Sequence, residues 1–287
     1  KESYLKSMVY SLTNWDDLGK GTNLLMTGSM KSVNIRAGAQ TLSTRLALTR
    51  MVARVELKIK VKESSGITIT DYSVKNIPAC SYYVARASGD AAQAATAAHW
   101  KESGVIATSG ATSVNKTFYM FENRRGTKSI SAQKDKTTAN APAKATYVVV
   151  HGLVGSIAVT WTVYLGENNT SDFKRNSNYT YNITLNDVAA TDTRVVVDFT
   201  GTEDLSSAGT ANCYLAKKVN TWYKFKATVR GNGATTAALV SPTGSALAAN
   251  AAISPASAEL VWETNGHGKI IQGVILKDGY VYFKTGP

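Results

Sequence analysis

Met51-Val52-Ala53-Arg54-Val55-Glu56-Leu57-Lys58-Ile59-Lys60-Val61-Lys62 is the stretch that decides the fold class. Its odd positions are Met51, Ala53, Val55, Leu57, Ile59 and Val61; its even positions carry Arg54, Glu56, Lys58, Lys60 and Lys62, with Val52 the exception. Successive side chains of an extended strand point to opposite faces, so this period of two predicts one apolar face on a core and one charged face in water. Antiparallel sheets tolerate that arrangement. Ile157, Val159, Trp161, Val163 and Leu165 repeat it, with Ala158, Thr160, Thr162 and Tyr164 between. So do Tyr179, Tyr181, Ile183 and Leu185, alternating with Asn178, Thr180, Asn182 and Thr184. The last two runs flank the polar stretch Gly166–Ser177 and are expected to pair as a long-looped hairpin.

Outward from these runs, further strands are expected at Thr117–Phe121, Tyr147–Val150, Arg194–Phe199 and Trp222–Val229. Gln272–Leu276 and Tyr280–Lys284 are joined across Asp278-Gly279, a dipeptide that supplies the positive φ angles of a type I′ turn. One short helix is expected, in the Ala-rich stretch Ala91–Trp100, where Asp90 can cap the start and Gly104 follows. Ser131–Lys144 reads as an irregular inter-strand loop and Thr235–Ser257 as a long Ala/Ser-rich one. Gly201–Thr210 is small, polar and glycine-containing, and marks the clearest boundary. The fold class is therefore all-β, built from tandem antiparallel β-sandwiches. Its core is expected to take Val55, Leu57, Ile59, Trp161, Val163, Tyr181 and Ile183, with Lys58 and Lys60 in water.

Composition narrows the function classes. The 44% hydrophobic share is too high for a wholly disordered chain. No run approaches the ~20 apolar residues of a membrane-spanning helix. The net charge of +12 comes from 32 basic and 20 acidic groups spread along the chain, with no five basic residues in a row. Lys58, Lys60 and Lys62 read as a solvated sheet face, so no nucleic-acid partner is expected. Cys80 and Cys213 lack metal spacing and read as small buried residues. Lys1 opens without an apolar leader segment.

Residues that carry chemistry are few. There is no Gly-x-Ser-x-Gly elbow, and Gly19-Lys20-Gly21-Thr22 is too short for a phosphate loop and reads as a turn. His99, His151 and His267 stand far apart without ligand spacing. Glu167, Asn168, Asn169 and Asp172 gather oxygens that a calcium ion accepts, but without the order of a calcium loop. Trp15, Trp100, Trp161, Trp222 and Trp262 could include sugar platforms; Trp161 fits the inward face of its strand, while Trp100 and Trp222 fit either role. No catalytic, cofactor or metal residue is assigned, and enzyme activity is not expected.

Four segments in order resemble a known family. They are Asn23-Leu24-Leu25-Met26-Thr27-Gly28, Leu46 through Glu56, Phe118-Tyr119-Met120-Phe121-Glu122-Asn123-Arg124-Arg125-Gly126, and Tyr164-Leu165-Gly166 through Arg175-Asn176-Ser177-Asn178-Tyr179-Thr180-Tyr181-Asn182-Ile183. Over roughly residues 20–200 the chain resembles the fimbrillins, the type V pilus subunits of Gram-negative anaerobes. The resemblance implies transthyretin-like sandwiches and a secreted lipoprotein of the outer surface. It also implies removal of an N-terminal strand by a protease, often after Arg, and assembly by a strand from a neighbouring subunit. On this pattern residues 1–45 are expected to be the C-terminal part of a first sandwich, 46–200 a second sandwich, and 201–287 an added β-rich module. The first and last pieces are expected to be incomplete, with an extended segment from another copy lying against 1–45 and Gln272–Lys284 as an edge hairpin.

The function implied is that of a structural or adhesive subunit of a cell-surface fimbrium, tip or accessory, partnered by other pilus subunits. The outer membrane would be reached only through a lipid anchor outside this chain. The reading from a different class is a monomeric surface lipoprotein that binds a glycan or a host ligand; a third is a hydrolase with a dispersed site.

Overall fold

The computed structural model describes residues 2–19, 24–30, 33–34, 36–39, 41, 45–85, 99–154, 157–186, 188, 192–198, 202–204, 218, 221–226, 252–253, 271–277 and 280–285. After a six-residue helix, α1 (Glu2–Ser7), come β1 (Val9–Ser11), β2 (Met26–Thr27), β3 (Thr49–Arg50), β4 (Val52–Val61) and β5 (Ile67–Lys75). Next are β6 (Ile77–Pro78), β7 (Cys80–Tyr82), β8 (Trp100–Lys101), β9 (Ile106–Ala111) and β10 (Ser113–Phe121). They are followed by β11 (Tyr147–Val154), β12 (Ile157–Tyr164), β13 (Asn178–Leu185), β14 (Val195–Val197) and β15 (Glu203–Asp204). The last four are β16 (Trp222–Lys226), β17 (Ala252–Ile253), β18 (Ile271–Lys277) and β19 (Tyr280–Thr285). The chain is all-β, as its alternation requires.

Larger sheets run in the orders β10-β4-β13, β14-β12-β11-β5-β9 and β15-β16-β19-β18-β17, beside the pairs β1-β7, β2-β3 and β6-β8. Two compact units result: one of residues 1–60, 71–150 and 162–184, the other of 61–70, 151–161 and 185–287.

In the first unit, β4 and β10 pair antiparallel from Lys60↔Ser113 to Val52↔Phe121. Val55, Leu57, Ile59, Phe118 and Met120 are buried on one face, while Lys58 and Lys60 are exposed on the other, as expected. Tyr72, Val74, Val148 and Val150 add their side chains to this unit's core. Tyr181, Ile183 and Val163 are half-buried rather than buried, and for β13 the reason is its place at a sheet edge.

The expected hairpin of the 157–165 and 178–185 runs does not form. β12 pairs with β11 and β14, whereas β13 joins β4 in a different sheet. Arg54 N donates to Ser177 O and Lys62 N to Leu185 O, each at 2.9 Å. Both residue numbers rise together, so β13 runs parallel to β4, which a hairpin cannot do. The cause lies in the connecting loop: Asn176 N donates to Val52 O at 2.7 Å and Phe173 bridges Asn123, drawing the chain to the β4–β10 side.

β5 is a strand beyond those expected. Its burial starts on Ile67 and Ile69 and then shifts phase to Tyr72, Ser73 and Val74, so no single period of two covers it. Ser109 and Gly110, both left-handed (φ 55° and 77°), bend β9 near its end, just before the chain passes at residue 112 into β10 and a different sheet.

In the second unit Ile157, Val159 and Trp161 are buried, and β12 pairs β14 through Val159↔Val197 and Trp161↔Val195. Gly152 is required there: a Cβ would stand 2.4 Å from Thr68 O and 2.9 Å from the Trp161 ring. Tyr223 and Phe283 are cross-strand partners whose rings stack at 5.6 Å. β18 and β19 pair up to Lys277↔Tyr280, which leaves Asp278-Gly279 as the connection and agrees with the expected hairpin. Residues 278–279 themselves, and 91–98 of the expected Ala-rich helix, lie outside the described residues; Trp100, the expected helix end, is in β8.

Candidate functional site

Three loops of the first unit, 122–128, 131–146 and 165–177, are tied into one polar cluster. Glu122 follows the apolar end of β10 and Arg175 precedes β13; both are buried, at 4% and 9% exposure. Arg175 Nε donates to Glu122 Oε1 at 3.0 Å, and its Nη2 reaches the same oxygen. Nη2 shares its two hydrogens with Ser81 Oγ at 3.2 Å and Tyr82 O at 3.0 Å as well, and Nη1 donates to Tyr83 O at 3.4 Å. Only a planar fork of five donors can serve four acceptors spread in this way.

Asn123, fully buried, uses every group it has. Its backbone exchanges hydrogen bonds with Phe173 at 2.9 and 2.8 Å. Nδ2 donates to Lys144 O at 3.1 Å and Thr146 Oγ1 at 2.9 Å, and Oδ1 accepts from Arg125 Nε at 2.7 Å. The Arg125 guanidinium then lies 4.6 Å from the centre of the Trp100 ring, with Lys144 Nζ 6.0 Å from the same centre. Gly126 N donates to Asp172 Oδ1 at 2.6 Å, and Ser171 N to Gly126 O at 3.0 Å.

Lys136 and Tyr181 close the cluster. Tyr181 Oη donates to Gly166 O at 3.0 Å and accepts from Gly166 N at 2.8 Å, and burial pushes its phenol upward. The fully buried Lys136 ammonium donates to the backbone oxygens of Glu167 and, at 3.5 Å, Leu165. Burial depresses this amine to about 8, against a partial opposing pull from Glu167. Between about 8 and the usual 10.5 the folded chain therefore binds fewer protons here than the unfolded one. Stability from this group rises with pH across that window and is lost as pH falls through the lower value. The melting temperature of wild type relative to Lys136→Met should accordingly increase from pH 7 to pH 10 in paired thermal scans; a difference independent of pH would refute the assignment.

A second feature of this unit is the N-terminal strand. β1 pairs with β7 through Val9↔Tyr82, Tyr10↔Ser81 and Ser11↔Cys80. Tyr83 N donates to Met8 O and Leu12 N to Ala79 O, so Met8, Tyr10 and Leu12 turn their backbone groups to β7. By the alternation of an antiparallel ladder, Val9 and Ser11 turn theirs outward. All three β1 residues are exposed, and Tyr4, Leu5 and Met8 stand exposed beside them. Beneath β1, Tyr10 meets the rings of Tyr83 and Phe121 edge-on, and Leu12 packs on Leu18, Met51, Val52 and Phe121.

The residues singled out from the sequence are mostly dispersed. His99 precedes β8 and His151 lies in β11, while His267 is outside the described residues. In the 167–172 loop the Glu167 carboxylate pairs with Lys174 Nζ at 2.8 Å and Asp172 Oδ1 accepts from Gly126 N. Among the described residues no three His, Cys, Asp or Glu side chains gather as a metal site. Trp100, Trp161 and Trp222 are buried, Trp15 is half-buried against Phe118, and Cys80 is buried. The partnership of Glu122 and Arg175 was not anticipated, although both stand in the motifs quoted above. An ionisable residue directly after the apolar end of a strand is the signal that Glu122 left; Arg175, in a polar loop, left none.

A family model described as "Domain of unknown function (DUF4906)" matches residues 118–185, a span that contains Glu122, Asn123 and Arg175. Among solved structures the chain is similar to the tip fimbrial protein Mfa3 from Porphyromonas gingivalis with C-terminal truncation, at 16% identity and a TM-score of 0.31. That similarity covers 53% of this chain and 50% of the other, so about half the length of each. No curated protein matches.

Proposed function

We propose that the chain is a structural subunit of a surface fimbrium that assembles by strand addition along β1, without enzyme activity of its own. The observation that carries this reading is the outer edge of β1. Among the described residues the outward N–H and C=O groups of Val9 and Ser11 have no partner, on an uncharged, exposed strand flanked by apolar side chains. Edge strands of proteins that remain apart are normally shortened, charged or covered, because such an edge is a template for another strand. β1 is short, but it carries no charge, and added backbone pairs together with Val9 would supply affinity and register to an incoming strand. The order and spacing of the fimbrillin-like segments support the same reading. A lipid anchor and an outer-membrane location belong to the proposal.

Proline offers a selective test. Replacing Val9 and Ser11 by Pro removes only the outward N–H groups and leaves the hydrogen bonds to β7, since proline is tolerated on the open side of an edge strand. Cells secreting the V9P/S11P variant should lose detergent-resistant polymers on an immunoblot, while the purified variant melts within a few degrees of wild type. Polymers that persist at wild-type abundance would overturn strand addition along this edge.

A further inference from the structure

The ribbon of β2 and β3 reverses the usual polarity of a solvated sheet face. Met26 pairs with Arg50 and Thr27 with Thr49, and Met51 N donates to Leu25 O at 3.0 Å. Burial alternates cleanly through both segments. Leu25, Thr27, Thr49 and Met51 face inward, where Leu25 and Met51 meet Leu18, Val52 and Phe121. Met26, Gly28, Leu48 and Arg50 are the exposed positions of the same segments, and Leu46 is exposed two residues earlier. A strand face turned to water is normally polar, as β4 shows with Lys58 and Lys60. Here it carries Met26 at 44% exposure, Leu46 at 50% and Leu48 at 60%. Gly28 makes room for the last of these, since a Cβ there would stand 3.2 Å from Leu48 Cδ2 and 2.4 Å from Ala47 O. Arg45 and Arg50 bracket the two leucines; both are exposed, and among the described residues neither has a carboxylate partner. Arg50 Nη1 donates to the neutral Asn176 Oδ1 at 3.3 Å. From residue 18 to residue 55 the sequence holds six basic residues and no acidic one.

We propose that this ribbon docks on the surface of an anionic lipid bilayer, with Met26, Leu46 and Leu48 entering the headgroup boundary and Arg45 and Arg50 meeting lipid phosphates. Segments that lie on a membrane combine these two elements, apolar side chains below the headgroups and basic groups level with them. Exposed leucines gain nothing from a hydrophilic polyanion, and arginines gain little from a neutral lipid, so the two features together select this surface. A second copy is a poor occupant, because every copy brings the same net charge of +12 and the same acid-free segment. An acidic protein would be held best by aromatic anchors, and the exposed positions of this face have none. The inference rests neither on strand addition along β1 nor on a lipid anchor.

Vesicle flotation of the whole chain in about 0.15 M salt tests it. Phosphatidylcholine vesicles with about 30% phosphatidylglycerol should be bound at least about tenfold more tightly than pure phosphatidylcholine, because each arginine beside an anionic surface is worth about fivefold. Leu46→Ser combined with Leu48→Ser keeps every charge and should weaken binding at least about tenfold. Arg45→Gln combined with Arg50→Gln should do the same. Lys58→Gln combined with Lys60→Gln removes as much charge from β4 and should change binding less than about twofold. All of these positions are exposed, so circular dichroism and melting of the variants should match wild type. The proposal fails if the phosphatidylglycerol vesicles are not bound, or if pure phosphatidylcholine is bound equally. It fails too if the leucine variant binds like wild type, or if the lysine variant loses as much as the arginine one. Capture of polyglutamate that depends on Leu46 and Leu48 would assign the ribbon to an acidic protein and overturn it as well.

Discussion

Replacing Arg175 by methionine should lower the unfolding free energy by about 3–5 kcal/mol, the cost of stranding a buried charge. Glu122, 4% exposed, would keep a carboxylate with its guanidinium partner gone. The acceptors Ser81 Oγ, Tyr82 O and Tyr83 O would lose a donor in the same step. Lysine should not rescue the site, since a single ammonium cannot span four acceptors as the fork does. A second change separates charge from packing. Glu122→Leu combined with Arg175→Met removes both ions and should recover a large part of the loss, because an apolar pair of similar volume escapes the desolvation penalty. Urea denaturation of the three variants measures this. An R175M cost below about 1 kcal/mol would mean the pair does not anchor these loops.

Leu57→Ala should destabilise by about 2–5 kcal/mol, through lost burial and the cavity left behind. Leu57 has no exposed surface, and its neighbours on that face, Val55 and Ile59, are equally enclosed. Lys60→Ala, three positions further along the same strand and on the opposite face, should stay within about 0.5 kcal/mol. Paired denaturation curves give both numbers. Comparable losses in the two variants would show that the register of β4 is not the one described.

Much of β4 was legible because a strict period of two allows only one assignment of faces: a slip of one residue would have placed five charged side chains in the core. β19 was legible through Asp278-Gly279, a turn with few alternatives. β5 was not, because its phase shifts between Ile69 and Tyr72. The partner of β13 was hidden for a different reason. Alternation tells which face of a strand is buried but not which strand lies beside it, and a loop held by Phe173, Arg175 and Asn176 chose β4 over β12. The candidate site was the least legible part. Glu122 and Arg175 meet across 53 residues of sequence, as Arg125 and Lys144 meet over Trp100, and nothing local in the sequence joins positions so far apart.

The parallel alignment of β13 on β4 bears on how the chain is made. β4 sits at the centre of its sheet, yet the neighbour touched by Arg54 at Thr117 is 63 residues away, and the one touched by Glu56 at Thr180 is 124 away. The flank taken by β10 can close once residue 121 has been made, but the flank taken by β13 stays open until synthesis has passed residue 185. Loop-closure entropy must be met before either pairing contributes, which places this topology among slow folders, on the order of milliseconds to seconds. Until β13 arrives, the open flank of β4 is a template for any other strand within reach, so a chain interrupted before residue 185 would be the form most prone to associate.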